Sequence, residues 1–166
     1  MTFNALEHLQ KSLGVKDEDL KPAVTAIALS VPNAKGLGVD RYINHLDKLS
    51  SDVAARFQAL LEEGSEDDAN TRLAALKHVL CDKHGYEGDY DDDNIDNAVL
   101  SRVIDRRRGL PIALALLFVH AARAQGWAVS GLSLPGYFLC RIEYGGVRHI
   151  FDPSDQCRIL DAPDLR

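Results

Sequence analysis

The sequence is short of basic residues, of cysteine and of long apolar runs, and each shortage removes a class of protein. Nineteen Lys and Arg stand against 25 Asp and Glu, a formal net charge of −6 over 166 residues. A nucleic-acid-binding surface normally needs the opposite balance. The longest apolar run, Leu110 to Val119, ends at His120, well short of the roughly 20 residues that span a bilayer. Three cysteines occur, Cys81, Cys140 and Cys157, an odd number at no repeating interval. A disulfide scaffold is therefore excluded, and reduced thiols in a cytoplasm are expected. The opening residues, MTFNALEHLQK, have no basic stretch leading into an apolar one, so no secretory signal is expected.

What is present is uneven. Residues 61–97 hold twelve acids and three bases, a net charge of −9, whereas residues 98–166 carry +3. The acidic stretch reads as a solvated loop. Hydrophobic residues in the first half recur at helical spacing. One stripe is Phe3, Leu6, Leu9 and Leu13, stopped by Gly14; a second is Leu20, Val24, Ile27, Ala28 and Val31, stopped by Pro32. A longer one opens at Asp40, runs through Tyr42, Ile43, Leu46, Leu49, Val53, Phe57 and Leu60, and ends near Gly64. Leu73, Leu76, Val79 and Leu80 make a fourth, closed by Gly85. A small helical bundle is expected over residues 1–84.

The second half changes character. Val99, Leu100, Val103 and Ile104 mark a helix that runs into Arg106, Arg107 and Arg108 and stops at Gly109. Pro111 suits the first position of the next helix, Ile112 to Gln125, and Gly126 its stop. That helix is apolar almost all round, which predicts burial on most sides. Three strand-like runs follow, Trp127 to Leu134, Tyr137 to Tyr144 and Val147 to Phe151, separated by Pro135-Gly136 and Gly145-Gly146. Such short links imply hairpins and hence an antiparallel sheet. The class is α+β, with residues 85–166 as the core domain and the two parts expected to pack as one compact unit.

Several of these residues also form a spaced set. The run from Asn97 to Leu114, NAVLSRVIDRRRGLPIAL, is followed by Arg123-Ala124-Gln125-Gly126, by Gly131 to Leu139 (GLSLPGYFL) and by Phe151-Asp152-Pro153. Upstream lie Leu46-Asp47-Lys48-Leu49 and Gly85-Tyr86-Glu87-Gly88-Asp89. In this order they resemble the transglutaminase-like "core 2" family, which includes the bacterial SirB-type invasion-regulator proteins, over roughly residues 18 to 160. The resemblance implies a papain-like core of central helix plus antiparallel sheet. It also implies a Cys-His-Asp constellation, with a thiolate at the helix start favoured by the helix dipole and a histidine oriented by an aspartate. Carried over residue by residue, the nucleophile position falls on Ala113 and the histidine of the family's Pro-Gly-His-Phe pattern on Tyr137. The aspartate is kept as Asp152.

A methyl group cannot attack a carbonyl, and a phenol with a pKa near 10 is a poor base at neutral pH. The site is expected to be degenerate, leaving Tyr137, Arg141 and Asp152 as the polar residues of a candidate pocket in which Tyr137 donates a hydrogen bond to Asp152. The expected function is that of a non-catalytic binding or regulatory module in the cytoplasm. Another protein is its expected partner, with no nucleic acid, no membrane and no cofactor. The competing function is a cysteine-dependent peptidase or amide hydrolase using a remaining cysteine. Cys140, on the strand face of Phe138 and Ile142, reads as core; Cys157 reads as an exposed loop thiol beside Arg158, with His149 as a nearby base. His120 reads as a satisfied helix histidine. His78, Cys81 and His84 do not share one helix face, as zinc ligands would. Residues 89–96 open like a calcium loop but lack its glycine and closing glutamate, so no metal is expected. Arg106 to Arg108 read as a helix cap with ion pairs to the acidic loop.

Overall fold

The computed structural model describes residues 21–30 and 37–165; the helix expected over Phe3 to Leu13 lies outside them. Helix α1 (Pro22–Ser30) starts at a proline and buries Ala23, Val24, Ile27 and Ala28. Helix α2 (Leu37–Glu62) begins three residues before Asp40 and buries the predicted stripe of Tyr42, Leu46, Leu49 and Val53. Helix α3 (Ala69–Lys77) opens on Asp68, whose carboxylate accepts the Thr71 amide at 2.7 Å, a side-chain N-cap of the kind worth about 1 kcal/mol. The helix then widens into a π-helical turn, His78–Lys83, that carries Val79, Leu80 and Cys81 inward.

Helix α4 (Leu100–Arg106) ends on Arg107, which takes a left-handed conformation with φ of 59°. Arg108–Gly109 then forms strand β2, paired in parallel with β1 (Glu87–Gly88), a ladder the sequence pattern did not announce. Helix α5 (Pro111–Arg123) has Pro111 in its first turn and buries Ala113, Leu114, Ala115, Leu117, Phe118, Val119, Ala121 and Ala122. It lies between α1 and α2 on one side and the sheet on the other, as its nearly continuous apolar surface requires.

The sheet has strand order β3 (Ala128–Leu134), β4 (Tyr137–Tyr144), β5 (Val147–Asp152), β6 (Arg158–Leu160), every pair antiparallel. The β4–β5 link has both Gly145 (φ 60°) and Gly146 (φ 79°) in the left-handed region, the conformation that matches a two-residue turn to strand twist. Strand β6 is the addition to the expected three. Helix α3 is pinned on the sheet by Arg72, whose guanidinium lies 3.5 Å from the Tyr144 ring centroid and 2.8 Å from Asp67. One cluster of buried side chains joins α1 through α5 with Trp127, Val129, Cys140, Ile142 and Phe151 of the sheet region.

Candidate functional site

The start of α5 is fixed from both sides. Leu110 donates its amide to the Asn97 carbonyl at 2.9 Å, and Asp89 donates to the Gly109 carbonyl at 2.9 Å. Asn97, fully buried, accepts from Arg106 at 2.9 Å and donates to the Asp91 carbonyl at 3.0 Å. The acidic loop folds on itself: Asp89 accepts the Asp91 amide, Asp91 the Asp93 amide and Asn94 the Asp96 amide. Arg106 and Arg108 pair with Asp89, and Arg108 also with Glu87. Arg107 turns inward to the Tyr86 hydroxyl and the Ile104 carbonyl. The arginine cluster thus has the cap and ion-pair roles expected of it.

Ala113, onto which the resemblance carries the nucleophile, presents a methyl group and is 2% exposed. Asp152, at the end of β5, accepts the Ser154 hydroxyl at 2.6 Å and the Ser154 amide at 2.9 Å through the same oxygen. The Ser154 hydroxyl in turn contacts the Tyr90 hydroxyl at 3.0 Å. Gly88 closes the group from behind; a Cβ there would meet Ser154 at 2.8 Å and the Tyr90 hydroxyl at 3.0 Å. Ser154, not Tyr137, is therefore the partner of Asp152. Tyr137 opens β4 opposite Leu134 and is 62% exposed. Arg141 pairs with Glu143 at 3.2 Å and lines a separate shallow cavity of about 260 Å³ with Arg123, Trp127 and Ser130. The local signal for Ser154 was present in Asp152-Pro153-Ser154, because an aspartate readily accepts the amide two residues on.

The cysteines are all free and all buried. Burial first, and the Asp152 charge second, push the Cys140 thiol up to about 12. Cys157 corrects the sequence reading: it is 5% exposed, held inside the β5–β6 connection by a positive φ of 56°. His149 sits on β5 opposite Ile142. The two histidines of the candidate zinc set take separate partners: Arg56 donates to His78 at 3.1 Å, and His84 bonds Asp52 at 2.8 Å. Cys81 is buried. Burial lowers the pKa of His120, which lies on the otherwise apolar α5.

A polar network that the sequence reading missed joins α2 to the chain around it. Asp52 bonds His84 at 2.8 Å and pairs with Lys48 at 3.1 Å and Lys83 at 3.2 Å. Burial alone would raise its pKa, but the bonds from His84, Lys48 and Lys83 outweigh that and hold it at about 2. One turn-pair earlier, His45 shares a hydrogen bond of 2.7 Å with the buried Tyr86 hydroxyl, which Arg107 also reaches at 3.3 Å. Burial, then the charge of Arg107, pushes His45 down to about 4. The available signal was spacing: residues 45 and 52 are seven apart and so lie on one helix face.

A buried helix laid across an antiparallel sheet, helices on its other side and a carboxylate at the end of the third strand define a transglutaminase-like α+β protein. A model of the transglutaminase-like superfamily matches residues 40–166, and the chain belongs to that family. It is 38% identical over 168 residues to a UPF0162 protein of Xylella fastidiosa (strain 9a5c), covering all of this chain and 58% of that protein. A UPF0162 protein of Vibrio cholerae is 30% identical over 89 residues, covering 52% of this chain and 32% of the relative. F-box only protein 21 of Mus musculus is 33% identical over 84 residues, 48% of this chain and 13% of that protein. The chain thus spans under two thirds of the length of these relatives. No solved structure matches it at comparable stringency, and no described helix is long and apolar enough to cross a membrane.

Proposed function

We propose that this chain is a non-catalytic transglutaminase-like module that acts in the cytoplasm by binding another protein. The observation that carries this reading is the burial of Ala113, whose methyl group stands where the resemblance assigns the nucleophile. The rest of the site supports it. Asp152 is held by Ser154, and a Cys140 thiol with a pKa near 12 supplies no thiolate at neutral pH. The exposed Tyr137 and the partly exposed Arg141 are the side chains such a partner would touch on the sheet, whereas Asp152 serves the fold.

The test is the rate of iodoacetamide labelling of each cysteine in the native protein against pH, together with hydrolysis of a panel of peptide amides. Slow labelling throughout, and turnover equal to that of a variant with all three cysteines changed to serine, is the expected result. Turnover that disappears in that variant establishes the cysteine-dependent hydrolase instead.

A further inference from the structure

The sheet ends on two strands that are finished differently. Strand β6 is three residues long, carries Arg158, and is followed by the short helical turn Ala162–Leu165, whose Asp164 lies 4.0 Å from that arginine. Shortness and charge are devices that keep a sheet edge from pairing further. Strand β3 has neither. Its seven residues, AVSGLSL, include no charge and no proline, and they pair with β4 over their full length without a bulge. The direction of its backbone groups follows from the turns. Pro135-Gly136 and Gly145-Gly146 each leave two residues between paired strand ends, which makes Leu134 and Tyr137, and likewise Tyr144 and Val147, hydrogen-bonded pairs. Alternation then points Leu132 and Leu134 at β4, and Val129, Gly131 and Ser133 away from it. Val129 finds partners within the chain: its amide donates to the Trp127 carbonyl at 3.1 Å, and its carbonyl accepts from Arg123 at 3.3 Å. The outward amides and carbonyls of Gly131 and Ser133, both exposed, meet no partner among the described residues.

We propose that this edge is where a second copy of the chain docks, the two β3 strands running antiparallel about a two-fold axis at Leu132. An antiparallel pair exchanges hydrogen bonds only between residues whose backbone groups both point at the other strand. Setting Gly131 of each copy opposite Ser133 of the other is the register that uses all the free groups of both strands. Centring on Gly131 would call on Val129, whose groups are already bonded. Centring on Ser133 would call on Pro135, which has no amide. The register at Leu132 sets that side chain against its own copy as a non-hydrogen-bonded pair, in which side chains lie closest. Leu132 is half-buried in the single chain, and the pairing covers more of it. An identical copy also suits the edge electrostatically, because an uncharged strand meets no like charge when it pairs with itself. A two-fold pair of this kind is the commonest closed assembly. The docking is edge to edge, so the sheet face that carries Tyr137 and Arg141 stays open for the partner proposed above, and the two readings fail separately.

The experiment measures the mass of the full chain by sedimentation equilibrium over a concentration series, because so short an interface belongs with the weak associations. The average mass should rise from that of one chain toward twice that value. Ser133→Pro removes an outward amide and leaves the β4 ladder untouched, a change that an edge strand accepts, and should hold the mass at one chain throughout. Leu132→Lys, which sets two like charges face to face, should do the same. Leu132→Cys should cross-link two chains under mild oxidation, since the Cα atoms of a non-hydrogen-bonded pair lie about 4.5 Å apart, within disulfide reach. Leu134→Cys, which faces Ser130 of the other copy, should not. A dimer that survives the first two variants, or that cross-links equally through position 134, overturns the proposal. So does a wild type that keeps the mass of one chain. Slow amide exchange at Gly131 and Ser133 would then assign the edge to a segment of the same chain outside the described residues, and fast exchange would leave it to an unlike protein. The lysine and cysteine variants decide the matter even where Ser133→Pro does not fold.

Discussion

The half-buried imidazole of His45 makes the fold sensitive to mild acid. Its Nε2 lies 2.7 Å from the Tyr86 hydroxyl, and its ring meets His84 edge-on with centroids 5.4 Å apart. Burial first, then the charges of Arg107 and His84, lower its pKa from 6.5 to about 4. The folded state therefore prefers neutral His45, whereas the unfolded chain takes up a proton as pH falls below 6.5. Stability is lost through the window from 6.5 down to 4 and the loss levels off below it. At pH 5 the two pKa values place the cost at about 2 kcal/mol, and partial solvent access to the ring reduces it to about 1–2 kcal/mol. Urea unfolding of the wild type and His45→Gln from pH 7.5 to 4.5 measures the difference, since glutamine retains a hydrogen-bonding group for Tyr86 without titrating. The wild type should lose about 1–2 kcal/mol more than the variant between pH 7.5 and 5. Asp52 does not confuse this window: held at about 2 against an ordinary 3.8, it contributes stability that is lost only as pH falls below 3.8. Parallel stability curves, or an NMR titration of His45 with a midpoint near 6.5, refute the argument.

Three further substitutions probe the groups around Asp152. Gly88→Ala forces a Cβ to within 2.8 Å of both the Ser154 side chain and its carbonyl, and thermal unfolding should show a loss of about 1–3 kcal/mol. Ser154→Ala removes the hydroxyl that donates to Asp152 at 2.6 Å and should cost about 1–2 kcal/mol by denaturant titration. Tyr137→Phe, by contrast, alters an exposed ring and should stay within about 0.5 kcal/mol of the wild type. An equal loss in the last two variants would show that Tyr137 supports the carboxylate after all.

The parts of the fold legible in the sequence are those whose instructions are local. Pro111 and Gly126 bracket α5, Gly145-Gly146 makes the β4–β5 turn, and the stripe from Tyr42 to Leu60 gives α2 its buried face. Strands β1 and β2, of two residues each, and β6, of three, are too short to carry a period of two. Strand β6 folds back on β5 through a short link, whereas the pairing of β1 with β2 joins Glu87 to Arg108, information that is distant in the chain. The network of His45, Asp52, His84 and Tyr86 is hidden for the same reason. Only the spacing of 45 and 52 is local, while His84 and Tyr86 are delivered by the π-turn and by Gly85 with its φ of 73°.

The candidate site was misjudged in the opposite way, by assigning Asp152 a distant partner where a local one suffices. A hydroxyl and an amide two residues downstream reach the carboxylate with almost no loop to close, whereas Tyr137 belongs to another strand. Low closure entropy favours Ser154, and the 2.6 Å and 2.9 Å bonds record the outcome. With Asp152 satisfied from its own strand end, the fold places no demand on residue 137. The exposed tyrosine is then available for the contact proposed above, and its polar group is not spent on holding the sheet together.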